Sequence, residues 1–163
     1  MVHEYELTQG RNLVEAVEEI RQEGFLKHFI FSSICKPKDP LKSDPAPGHF
    51  LNKWRIEDFI KLKDLNEIST ILRPVSYFEN FDSKLPGIQI SEKSFPGLLE
   101  PTKPWQTIAV DDIGAWAAAA FNNPDKLLHR DINIAGEEMT GEEMAALLSQ
   151  LDKNRKNIMR TNL

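Results

Sequence analysis

Helix-like and strand-like segments alternate along this chain, and no other feature constrains its fold so strongly. From about Thr8 to Glu23 apolar residues recur at three- and four-residue spacing (Leu13, Ala16, Val17 and Ile20). That spacing predicts an amphipathic helix, with Gly24 placed for a left-handed C-cap. The aromatic and β-branched run from Phe25 to Ser33 predicts a strand. A second helix is predicted over His49 to Lys63, and a second strand over Glu67 to Arg73. That strand should stop at Pro74, which cannot donate to a ladder. Further on come a short strand from Trp105 to Val110 and a helix from Asp112 to Asn123, with Asp111 as its expected N-cap. The helix carries a stripe of Ile113, Trp116, Ala117, Ala120 and Phe121 that reads as core-facing. Asp131 to Ala135 predicts another strand, and Thr140-Gly-Glu-Glu143 is a capping box opening a last helix through Leu151.

The resulting order, α-β-α-β, a long connection, then β-α-β-α, favours a parallel sheet with helical crossovers. Lys36 to Gly48 holds four prolines, at 37, 40, 45 and 47, and reads as a surface loop. Asp82 to Pro104 is rich in Pro and Gly, and a connection of that length suits a binding loop or lid. The architecture looks incomplete at its N-terminal end, because no strand precedes the first helix. The expected organisation is one domain over residues 1–151 and a flexible basic tail over 152–163 containing Lys153, Arg155, Lys156 and Arg160.

Composition narrows the function classes. A formal charge of −5 argues against direct nucleic-acid binding, which needs a basic face. No apolar run approaches the roughly 20 residues of a membrane span. The opening Met1-Val-His-Glu-Tyr-Glu has acids where a secretory signal is basic and then apolar. Cys35 is the sole cysteine, and His3, His28, His49 and His129 are scattered without metal-ligand spacing, so no metal is expected. A cytoplasmic address follows as the default, with the nucleus as the alternative.

Ligands in open α/β sheets sit beyond the carboxyl ends of the strands. Ser32 and Ser33 lie at one such end and Pro74 to Asn80 at another, and these should be neighbours if the strands are adjacent. His49 and Lys53 are four apart at the start of a helix and so share a face, while Phe50 and Trp54 can pack inward. Each residue also has a plain structural role open to it. Lys53 could be a solvated helix lysine, His49 an ordinary first-turn residue, and the serines partners for strand-end backbone. Tyr77 and Asn80 could pack and cap the loop that follows. A Ser33, His49 and Asp111 triad lacks any nucleophile-elbow motif.

The strings Lys27-His-Phe-Ile-Phe-Ser-Ser33, His49-Phe-Leu-Asn-Lys53-Trp-Arg-Ile-Glu57, Thr70-Ile-Leu-Arg-Pro74 and Tyr77-Phe-Glu-Asn80 occur in order. They are joined by Gln9-Gly-Arg-Asn12, Ile108-Ala-Val-Asp-Asp-Ile-Gly114 and Thr140-Gly-Glu-Glu-Met-Ala145. Together they resemble the NmrA-like family of atypical short-chain dehydrogenases/reductases, from about Thr8 to Ser149. The resemblance implies a Rossmann-type fold binding NADP or NAD, in regulators or redox sensors and in some small-molecule reductases. It implies Ser33, Lys53, Pro74, Tyr77 and Asn80 as cofactor-side residues. Lys53 and His49 would occupy the catalytic positions, with His49 standing where the wider group has tyrosine.

One departure from the family pattern is located. The eight glycines, at 10, 24, 48, 87, 97, 114, 136 and 141, nowhere give the family's Gly-x-x-Gly-x-x-Gly turn. Without that turn, the largest share of pyrophosphate affinity is lost. The expected fold is therefore a partial Rossmann-like parallel sheet with flanking helices, lacking the N-terminal βαβ units and the glycine-rich loop. A regulatory, redox-sensor-like or vestigial module is expected rather than a competent oxidoreductase. The alternative is an NAD(P)-dependent small-molecule reductase, complete only with a missing N-terminal half. With the first strands absent, the strand Phe25 to Ser33 should be a sheet edge guarded only by Lys27, inviting a homo-oligomer or a protein partner.

Overall fold

The computed structural model describes residues 2–36, 48–81, 100–147 and 149–150. The prolines of the first loop, most of the Pro- and Gly-rich connection and the basic tail lie outside these described residues. Two compact units form, Met1–Val75 with Asp111–Ile134, and Ser76–Val110 with Ala135–Leu163.

The first unit is built on three parallel strands. β1 (Phe29–Ser32) pairs with β2 (Ser69–Pro74), and β2 pairs with β5 (Arg130–Ile134), in the order β1-β2-β5. Phe31 lies opposite Ile71 and Leu72 opposite Ile132. As the central strand, β2 is buried almost throughout, the pattern of a parallel strand covered on both faces. Ile71 and Phe31 join Val14 and Val17 of α1 (Val2–Gln22) and Ile56 and Ile60 of α2 (Gly48–Leu62) in one core, closed by Leu65. A short 3₁₀ turn, Leu65–Ile68, takes the first residues of the expected strand. On the other face, α3 (Val110–Asn122) meets the ring of His28 through Phe121, and α4 (Pro124–Leu127) accepts a hydrogen bond from Thr70 at the Leu127 carbonyl.

The alternation read from sequence is present, with the parallel sheet it implies. Gly24 adopts φ 81° and its N–H donates to the Arg21 carbonyl at 2.9 Å, the left-handed cap that ends α1. The inward face of α1 differs from the predicted stripe. Gly10, Val14 and Val17 are buried, whereas Leu13, Ala16 and Ile20 are exposed. The reason is close helix approach: a Cβ on Gly10 would lie 2.2 Å from Ile56 Cδ1, so α2 packs where α1 has no side chain. On α3, Ala120 is buried and Ile113 and Ala117 half-buried, but Trp116 and Phe121 are exposed, so only part of that stripe is core.

In the second unit β3 (Ser76–Tyr77) runs parallel to β4 (Pro104–Ile108), and β4 runs antiparallel to β6 (Glu137–Thr140). Neither β3 nor β6 is signalled by alternation in the sequence. The capping box is present in both directions. Glu143 N–H donates to Thr140 Oγ1 at 3.2 Å, Thr140 N–H donates to Glu143 Oε2 at 2.8 Å, and residues 141–147 are helical. The α3 N-terminus is capped differently from expectation. Its first residue is Val110, whose N–H donates to Glu79 Oε1 at 2.9 Å, and Asp111 lies inside the first turn. No described helix is long and apolar enough to cross a membrane.

Candidate functional site

The carboxyl ends of the three parallel strands form the rim where a ligand is expected. Backbone hydrogen bonds carry the ladder past the strands: Ser33 N–H to Leu72 O at 2.8 Å, Cys35 N–H to Pro74 O at 3.2 Å, and Val75 N–H to Ile134 O at 3.2 Å. Ser33 and Pro74 are therefore neighbours, as their strand positions predict. Pro74 stays in register opposite Ile134 as the last residue of β2, where a missing N–H costs little.

Ser33 is buried, and its hydroxyl donates to Glu57 Oε1. Glu57 projects from α2 and is wholly buried. Its carboxylate also accepts a two-pronged contact from Arg73, Nε to Oε1 at 3.0 Å and Nη2 to Oε2 at 2.7 Å, and pairs with Lys36 Nζ at 2.6 Å. Arg73 Nη2 continues to Asp131 Oδ2 at 2.6 Å, and Lys61 reaches the same oxygen at 3.4 Å. Burial pushes the Glu57 carboxyl up, but hydrogen bonds from Arg73, Lys36 and Ser33 outweigh it and hold the group below the usual carboxylate range. The Glu57 bonds raise the Arg73 guanidinium further. One buried anion thus ties together α2, β2 and the segment leaving β1.

Because Glu57 is ionised, it can only accept, and the single Ser33 hydroxyl proton is directed to it. Ser33 retains lone pairs and no free donor. His49 is exposed in the first turn of α2, its ring edge-on to Phe50 with centroids 4.4 Å apart. Lys53, one turn later, turns to Glu6 of α1 at 3.4 Å and lies over the Phe31 ring at 5.6 Å from its centroid. Lys53 and Ser33 are thus held by different partners, Glu6 and Phe31 for one and Glu57 for the other. Phe50 and Trp54 are half-buried with centroids 6.5 Å apart, in line with an inward-packing pair.

Tyr77 and Asn80 belong to the second unit. Tyr77 lies in β3 opposite Ile108, half-buried, and burial raises its phenol. Asn80 sits in the 3₁₀ turn Phe78–Phe81, also half-buried. Sequence reading passed over Glu57, Arg73, Lys36 and Asp131. One signal for them was present: a charge between Leu72 and Pro74, inside a strand buried on both faces, demands a counter-ion. Glu57 continues the row of His49 and Lys53 by one more turn.

The model of the NmrA-like family matches residues 1–159. Among solved structures, NmrA, a negative transcriptional regulator in complex with NAD, is 21% identical with a TM-score of 0.60, covering 83% of this chain and 42% of that one. The protein gox2253 is 18% identical with a TM-score of 0.64, over 91% of this chain and 49% of that one. UDP-glucuronic acid 4-epimerase from Bacillus cereus, solved with UDP-glucuronic acid and NAD, is 17% identical with a TM-score of 0.66, over 91% and 51%. The chain therefore spans about half the length of these structures and shares their α/β fold, a parallel sheet with flanking helices.

Proposed function

This chain belongs to the NmrA-like family of NAD(P)-binding proteins, and from that premise we propose that it is a regulatory module that offers the nicotinamide side of a dinucleotide site rather than a reductase. The observation that carries the reading is the commitment of Ser33. Its only hydroxyl proton goes to the buried Glu57 carboxylate, so it has none to polarise a substrate carbonyl. Two further points support it. Lys53 is held by Glu6 and the Phe31 ring, and the family resemblance implies His49 at the position where the wider group carries its proton-transferring tyrosine. Within the first unit, Ser33, Lys53 and Pro74 would face the cofactor. The 163 residues contain no Gly-x-x-Gly-x-x-Gly turn, so the grip on the pyrophosphate has to come from elsewhere.

Calorimetric titration of the full chain with NADH and NADPH tests this, together with a screen for NADPH oxidation over small carbonyl substrates. The expected results are no heat of micromolar binding and no turnover above buffer. A second reading, an NAD(P)-dependent reductase completed by further polypeptide, draws on the retention of Lys53 four residues after His49. Turnover that Lys53→Ala abolishes would establish that reading and overturn the first. The outer edge of β1, first in the order β1-β2-β5, is the expected seat of a protein partner or a second copy. A monodisperse monomer in sedimentation at tens of micromolar would remove the second copy.

A further inference from the structure

His28, immediately before β1, is half-buried, but its Nδ1 is enclosed and meets no hydrogen-bond partner among the described residues. Its Nε2 lies 2.8 Å from Thr70 Oγ1, and that same oxygen lies 2.6 Å from the Leu127 carbonyl. These two contacts fix the tautomer. A carbonyl can only accept, so the Thr70 hydroxyl proton goes to Leu127. With that proton spent, Thr70 can only accept from the ring, so His28 carries its hydrogen on Nε2 and a bare lone pair on Nδ1. The edge of the ring packs against Phe121 of α3, with centroids 5.2 Å apart at 72°.

We propose that His28 is an acid-operated latch of the first unit: its neutral Nε2–H form closes the chain His28–Thr70–Leu127, and uptake of a solvent proton at Nδ1 opens it by driving the charged ring out of its enclosed seat into water, which parts Nε2–H from Thr70. The chain joins the entry to β1, the central strand β2 and the end of α4. A second proton on the ring would create a cation whose new N–H points into an enclosed space with no acceptor among the described residues. Among the described residues, no opposite charge acts on the ring. α3 presents the Phe121 ring and β2 the Thr70 hydroxyl. Around the end of α4 and the start of β5 the titratable side chains are Asp125, Lys126, His129 and Arg130, all exposed, and of these four only His129 acts on the ring. His129, held at φ 61°, repels a charge on His28. Burial first, and then His129, therefore lowers the His28 pKa from 6.5. With the folded value below the unfolded one, the contribution is complete above 6.5 and is lost as pH falls from there through the folded value.

The test is long-range proton–nitrogen correlation of the histidine rings in the full chain, with the His28 signals assigned by their loss in His28→Gln. Should that variant fail to fold, subtraction using His3→Gln, His49→Gln and His129→Gln assigns the same signals. The expected result is an Nε2–H ring at neutral pH that titrates below 6.5, with the Thr70 and Leu127 amide signals moving at the same midpoint. Thr70→Val removes the acceptor and should abolish the tautomer preference. An Nδ1–H tautomer, or a midpoint at or above 6.5, would overturn the proposal.

Discussion

Replacing Glu57 by glutamine keeps the shape of the side chain and removes the charge on which Ser33, Lys36 and Arg73 converge. Two features set the size of the loss. The Glu57 side chain is 0% exposed and that of Arg73 13%, so neither charge can be rehydrated in place. Removing one partner of such a pair costs roughly 3–5 kcal/mol. Arg73 retains Asp131 at 2.6 Å, and Lys36, 30% exposed, can turn to water, so the cost belongs at the lower end. About 3 kcal/mol, at about 2–4 °C per kcal/mol for a chain of this length, lowers Tm by about 6–12 °C. The pH dependence carries a second signature. The folded Glu57 carboxyl titrates below its ordinary value of 4.5, so its stabilisation is present above 4.5 and is lost as pH falls through the folded value. Scanning calorimetry of wild type and Glu57→Gln between pH 7 and pH 3 should show the two converging in acid. Replacing both Glu57 and Arg73 by methionine should recover much of the loss, because an apolar pair no longer strands a charge. A Glu57→Gln loss below about 1 kcal/mol at pH 7, or one that persists undiminished in acid, would refute the reasoning.

Two further outcomes follow from the packing of α1. Gly10→Ala gains helix propensity of about 1 kcal/mol but drives a Cβ against Ile56, so a net loss in urea unfolding is expected. Ile56→Val, which removes the contacting Cδ1, should restore part of it. Val14→Ala should cost about 2 kcal/mol, while Leu13→Gln one residue away should stay within about 0.5 kcal/mol. Equal losses at Val14 and Leu13 would show that the helix is turned the other way.

What the sequence made legible was local. The Gly24 cap and the Thr140–Glu143 box need only neighbouring residues, and both are present as read. The three parallel strands carry enough aromatic and β-branched character to be placed within a few residues. What failed was set by distant partners. The rotation of α1 depends on Ile56 packing against Gly10, and a count of apolar side chains gives a glycine no weight. The α3 cap depends on Glu79, 31 residues before Val110, so the local candidate Asp111 looked sufficient. β6 contains Glu137-Glu-Met-Thr140, which has no inward alternation and becomes a strand only through pairing with β4.

The candidate site shows the same division at the level of single protons. Family resemblance gives Ser33 and Lys53 their positions, but position does not say which atoms remain available. A serine hydroxyl has one hydrogen, and here an ionised, fully buried carboxylate takes it. The carboxylate stays ionised because Arg73 and Lys36 meet it, and Arg73 is tolerated within a doubly covered strand because Glu57 and Asp131 meet it in turn. Each charge is the condition for burying the next. A ligand group that reaches Ser33 must therefore bring its own hydrogen, as an amide N–H or a hydroxyl does and a carbonyl oxygen does not. That requirement belongs to the Glu57 network, and neither the residue at position 33 nor its place on the strand could have announced it.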